Sequence, residues 1–117
     1  MLKEPETKVL VSVVSKDIPL ETCPIGTRLV IRKEMKNPVD PKALPVYVQH
    51  KRTGKWVFLG YVAANPDYVP EDGINNAKLF DLMGPTTYGV IGEVVDKMQV
   101  VFPYGVSTAL LVEVPLS

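Results

Sequence analysis

With 117 residues, 46% of them hydrophobic and 22% charged, the chain has the length and composition of one small soluble domain. No segment approaches the roughly 20 consecutive apolar residues that a membrane-spanning helix needs, which excludes a helical membrane protein. Thirteen basic and thirteen acidic side chains balance to a net charge of zero, without the overall basic excess of an ordinary nucleic-acid binder.

The first residues, MLKEPETK, are charged and contain proline, so they lack the apolar stretch and small-residue cleavage site of a secretory signal, and a cytoplasmic protein is expected. Lys8–Val14, KVLVSVV, is rich in β-branched residues and too short for a helix, so it predicts a buried strand. A loop over about Ser15–Thr27 follows, because Pro19, Pro24 and Gly26 stop regular structure. It carries Cys23, which as the single cysteine forms no internal disulfide and fits a reducing compartment.

Arg28–Lys33 predicts a second strand with basic ends. Val46–His50 and Trp56–Val62 predict a hairpin closed by KRTG, with Gly54 supplying a positive φ. In INNAKLFDLMG the apolar spacing turns helical, and Gly84 followed by Pro85 ends the segment, which predicts a helix over Ile74–Gly84. TYGVIGEVV and QVVFPYG, separated by DKM, and then TALLVEV read as three further strands. The fold expected is mainly β: a small antiparallel six-stranded barrel, similar to OB and SH3 folds, with one or two short helices inserted between two β-meanders. One domain spans 1–117, with its core over about 8–115.

The charges are segregated along the chain. Residues 16–55 hold nine Lys and Arg against four acids, whereas residues 63–117 hold two bases against seven acids. Either the basic segment makes a positive face that includes Lys16, Arg32, Lys36 and Lys42, or the two halves attract one another as solvated faces.

Catalytic and metal-binding patterns are scarce. One histidine and one cysteine cannot supply a structural zinc site, and nothing in the sequence orients Cys23 and His50 as a nucleophile and base. Asp67, Glu71 and Asp72 lie in a Pro- and Gly-containing loop that suits solvated or capping carboxylates better than a cation site. GPTTYG has the glycine spacing of a phosphate loop, but Val90 and Ile91 stand where that motif needs Lys and Ser or Thr. Gly89 and Gly92 fall inside a predicted strand and point to close backbone packing or a bulge.

The most distinctive stretch is KEMKNPVDPKALPVYV, Lys33–Val48, with Pro38, Pro41 and Pro45 stiffening a polar connection between apolar runs. KNPVDPKALPVYV followed by GKWVFLGYV resembles the HIRAN domain family in its Asn-Pro-x-Asp loop, the following alanine and a Gly-Tyr-Val strand, here Asn37, Pro38, Asp40, Ala43, Gly60, Tyr61 and Val62. The tail VVFPYGVSTALLVEV is similar to that family's closing segment, with the turn at Pro103, Tyr104 and Gly105. The resemblance covers Val11–Val114.

HIRAN domains occur at the front of DNA-translocating remodellers and as small bacterial or phage proteins without a motor. The resemblance implies a six-stranded barrel that holds the 3′ end of single-stranded DNA, without catalysis, cofactor or metal. It implies that Asp40 receives the terminal 3′-hydroxyl, that Tyr104 lies exposed beside it and the end nucleotide, and that Lys16 meets a phosphate. The implied nucleic-acid-binding set is Lys16, Asp17, Asn37, Val39, Asp40, Lys42, Tyr61, Phe102 and Tyr104. Val39 departs from the family, which has an aromatic there. The loop AANPDYVPEDGINN is also long, and its Tyr68 either replaces the missing ring or blocks the face. Two alternatives stay open: Asn37 and Asp40 build a turn by bonding local backbone, or the barrel is a protein-interaction or structural module that has lost DNA binding.

Overall fold

A computed structural model describes residues 7–34 and 36–116. Each β-branched run becomes a strand: β1 Thr7–Val14, β2 Arg28–Arg32, β3 Pro45–Gln49, β4 Trp56–Val62, β5 Gly89–Phe102 and β6 Gly105–Leu116. All pairings are antiparallel, and the order β1-β4-β3-β2-β5-β6 closes on itself as a barrel. Closure gives the strand edges partners instead of leaving them to other chains. Val11, Val13, Leu29, Ile31, Val46, Leu110 and Val112 fill the interior with no exposed surface.

The expected break at DKM is not a turn. Residues 89–102 form one 14-residue strand, whose register with β6 shifts between Val94 and Asp96. A bulge there absorbs the extra residue, so the charged pair Asp96 and Lys97 stays in the strand. Lys97 reaches out to donate to the Glu21 carbonyl at 2.6 Å. Gly92 marks close packing: a Cβ on it would lie 2.5 Å from Val112 Cγ1. The two long strands turn at Pro103–Tyr104, where Phe102 pairs with Gly105.

Between β4 and β5 lie a single 3₁₀ turn, Pro66–Tyr68, and one helix, α1, Asn76–Met83. Asn75 caps α1 by accepting from the Lys78 amide at 2.9 Å, and Gly84 ends it with φ 79°. Leu79 and Met83 bury against the barrel core. The β1–β4 ladder is short, with Val13 facing Val62 and Val14 facing Tyr61. The inserted segment extends it: Ala63 N–H donates to Ser12 O at 2.8 Å, and Ile74 N–H to Leu10 O at 2.9 Å. At this seam Gly60 has no room for a side chain, since a Cβ would collide with the Val14 carbonyl. Among the described residues no helix is long and apolar enough to cross a membrane.

Candidate functional site

The nine residues singled out by sequence fall into two places. Lys16, Asp17, Tyr61, Phe102 and Tyr104 line one cleft, of about 550 Å³, together with Phe58 and Tyr68. Asn37, Val39, Asp40 and Lys42 are not part of its lining; they belong to the proline-rich connection between β2 and β3.

That connection is a strap tied to α1. Asn37 Oδ1 accepts from the Val39 and Asp40 amides, both at 2.9 Å, folding the chain into a local turn. Asp40 Oδ1 accepts from the Lys42 amide at 2.9 Å, and Oδ2 accepts from Asn76 Nδ2 at 2.8 Å. The same Asn76 amide donates to the Lys42 carbonyl at 3.0 Å. Only 3% of Asn76 is exposed, so these bonds satisfy an amide that burial would otherwise leave costly.

Lysines complete the attachment. Lys42 Nζ is ion-paired with Asp81 on α1 at 2.8 Å. Lys33 Nζ donates to the Gly84 carbonyl at 2.5 Å and lies 4.4 Å from the Phe80 ring centroid, placing a cation at the negative end of the helix. Basic side chains of the first half thus hold the helix of the acidic half. Of the cations expected on one positive face, Lys16 lines the cleft, whereas Lys42 is neutralised by Asp81. Val39, in the strap, is 90% exposed.

The cleft is built differently. The hairpin turn after β5 brings Phe102 and Tyr104 into parallel stacking, with centroids 5.3 Å apart and planes 1° apart. Tyr68, carried in by the 3₁₀ turn, tilts against Phe102 at 4.7 Å. On β4, Phe58 and Tyr61 meet edge to face at 5.4 Å. Tyr104 is 67% exposed, as expected, but the neighbour expected of it is not there: the carboxylate lining this cleft is Asp17, and Asp40 is fastened to α1. Tyr68 therefore adds a ring to the cleft that Tyr104 enters.

Cleft and strap are joined through Tyr61 and Glu34. Tyr61 Oη donates to Glu34 Oε2 at 2.9 Å, and Asn37 Nδ2 approaches the same oxygen at 3.4 Å. The hydrogen bond to Glu34, then burial, then the charge of Glu34 raise the Tyr61 phenol above its ordinary pKa of 10.0.

Chemically the cleft offers flat aromatic faces, one ammonium and one carboxylate. Its lining contains no histidine or cysteine, and Ser15 Oγ accepts from the Ile18 amide at 3.1 Å in a local turn. His50 lies elsewhere, with Nδ1 accepting from the Arg52 and Thr53 amides in the β3–β4 turn. Phe58 is the lining aromatic that sequence reasoning passed over: it faces Tyr47 within the local β3–β4 hairpin, and only the folded barrel brings it into one lining with Phe102 and Tyr104. No protein-family model, curated protein or solved structure matches the chain. The HIRAN resemblance therefore stands on the residues of its two motifs.

Proposed function

We propose that the protein is a non-catalytic module of HIRAN type that binds single-stranded DNA in the aromatic cleft, at the 3′-hydroxyl end of the strand. The observation that carries this reading is the stacked Phe102–Tyr104 pair, with the outer ring open to solvent beside Lys16 and Asp17. A base stacked on such a ring gains roughly 1–3 kcal/mol and needs no particular sequence. Lys16 meets the backbone phosphate. A carboxylate accepts a hydrogen bond from a terminal hydroxyl and repels a terminal phosphate, so it distinguishes an end from an internal link. Asp17 takes this role in place of Asp40, whose two oxygens hold the strap. The lone, half-buried Cys23 suits a cytoplasmic setting.

The test is a titration of short labelled oligonucleotides bearing a 3′-hydroxyl, a 3′-phosphate or a 5′-phosphate, at low and moderate salt. Wild type is expected to prefer the 3′-hydroxyl over the 3′-phosphate by at least about tenfold, or 1.4 kcal/mol, and to weaken as salt rises. Tyr104→Ala loses affinity for all three oligonucleotides, Asp17→Asn loses the preference, and Asp40→Asn keeps it. No binding at low salt would overturn the proposal in favour of a protein-interaction module on the same barrel. Equal binding of all three ends would remove end recognition from it.

A further inference from the structure

β2 and β3 separate before either strand ends. Their ladder is made at Val30↔Tyr47 and Ile31↔Val46. Continuing that register would set Leu29 against Val48 and Arg28 against Gln49, and neither pair is made, although all four residues lie within the strands. On their other sides both strands stay zipped: Arg28 and Leu29 pair with Glu93 and Gly92 of β5, and Val48 and Gln49 with Val57 and Trp56 of β4. The result is a fork at one end of the β2–β3 seam.

A groove of about 540 Å³ lies at this fork, lined among others by Ile25, Arg28, Val48, Lys51, Trp56 and Ile91. Three of its apolar members are open to solvent: Trp56, 55% exposed, with Ile25 and Ile91. Its two charged lining residues, Arg28 and Lys51, are both cations. Glu93 stands across the ladder from Arg28, but the ion pairs among the described residues are Lys8–Glu113 and Lys42–Asp81.

We propose that this fork is a docking groove for an extended segment of a partner protein in which carboxylates alternate with aliphatic or aromatic side chains. Each part of the groove selects for that chemistry. The diverging strand edges match an extended peptide backbone, as in strand addition to an open sheet edge. Trp56, Ile25 and Ile91 receive the apolar side chains, and Arg28 and Lys51 complement the carboxylates. A nucleic acid is the poorer match, because the lining offers one aromatic face among aliphatic ones and a sugar-phosphate chain cannot pair with a strand edge. This groove shares no lining residue with the aromatic cleft, so it does not depend on the DNA-binding reading.

The chain contains one tryptophan, and it lies in the groove, so its emission reports occupancy directly. Random nine-residue peptides displayed on phage are selected on immobilised protein. Enriched sequences are then resynthesised and titrated against wild type, Trp56→Ala, Ile91→Lys, Lys51→Glu and the cleft variant Tyr104→Ala. Positions 51, 56 and 91 are exposed, and unchanged circular dichroism and melting temperature establish that the variants fold. The expected result is a consensus pairing Asp or Glu with aliphatic or aromatic residues. Binding shifts Trp56 emission to the blue; by calorimetry, which needs no tryptophan, it is weakened at least about tenfold by Trp56→Ala and by Lys51→Glu and is untouched by Tyr104→Ala. The proposal is overturned by enrichment without an acidic–apolar consensus, or by affinity indifferent to the groove variants. It is equally overturned if an oligonucleotide shifts Trp56 emission, or if sedimentation shows a dimer that buries Trp56.

Discussion

The strap over residues 33–44 and the aromatic cleft both draw on the sequence motifs that resemble HIRAN domains, and both carry side chains suited to recognition. In the strap these groups are already engaged: Asn37 holds two backbone amides, Asp40 holds Lys42 and Asn76, and Lys33 and Lys42 hold the C-terminal half of α1. In the cleft the polar groups of Lys16, Asp17, Tyr68 and Tyr104 make no side-chain hydrogen bond or ion pair among the described residues, whereas Tyr61 is engaged through Glu34 and Ser15 through the Ile18 amide. A satisfied polar group stabilises the fold, and a ligand must break its bonds before using it. An unsatisfied one beside exposed rings is ready for a ligand at little reorganisation cost. The strap thus holds the fold, and the cleft is where the proposed binding falls.

The largest effect that separates the two regions is on stability. Asn76→Ala removes the amide that bridges Asp40 and the Lys42 carbonyl and leaves both partners short of a donor. It is expected to cost on the order of 1–3 kcal/mol of folding free energy, read by urea denaturation, while oligonucleotide affinity of the folded fraction stays unchanged. If Asn76→Ala abolished DNA binding in protein that remains folded, the strap would belong to the site after all.

Much of this architecture is written locally, and the exceptions have a common cause. The β3–β4 hairpin and the end of α1 at Gly84 were legible because a turn glycine with positive φ and a capping glycine act within a few residues. The unity of β5 was not legible. Asp96 and Lys97 resemble turn residues, and only the 12-residue partner β6 and the bulge after Val94 keep them in register. The site divides in the same way. Phe102 and Tyr104 are neighbours in sequence, so their motif could be read directly. Asp40's true partner, Asn76, lies 36 residues away, and no local signal distinguishes a carboxylate that holds a helix from one that awaits a ligand.

A smaller effect probes the junction between the two regions. Tyr61 donates to Glu34, and ionising the phenol would lose that hydrogen bond, cost desolvation and bring two negative charges together, which is why its pKa in the folded protein is raised. Because the folded value lies above the unfolded one, the stabilisation is fully present below about pH 10 and is lost as pH rises through the folded pKa. Urea denaturation followed from pH 8 to pH 12 should therefore show the stability difference between wild type and Tyr61→Phe shrinking at the alkaline end. A difference that stayed flat or widened above pH 10 would mean that the Tyr61–Glu34 link contributes nothing in solution.

The central claim is one of location: a single-stranded DNA end occupies the aromatic cleft and leaves the strap alone. Backbone amide chemical shifts in a titration of the isotope-labelled protein with a short 3′-hydroxyl oligonucleotide at low salt test it residue by residue. The account predicts the largest shifts at Lys16, Asp17, Tyr61, Tyr68 and Phe102–Gly105, with Asn37, Asp40, Lys42 and Asn76 nearly still. Shifts concentrated on the strap and α1, or no shifts anywhere, would contradict it.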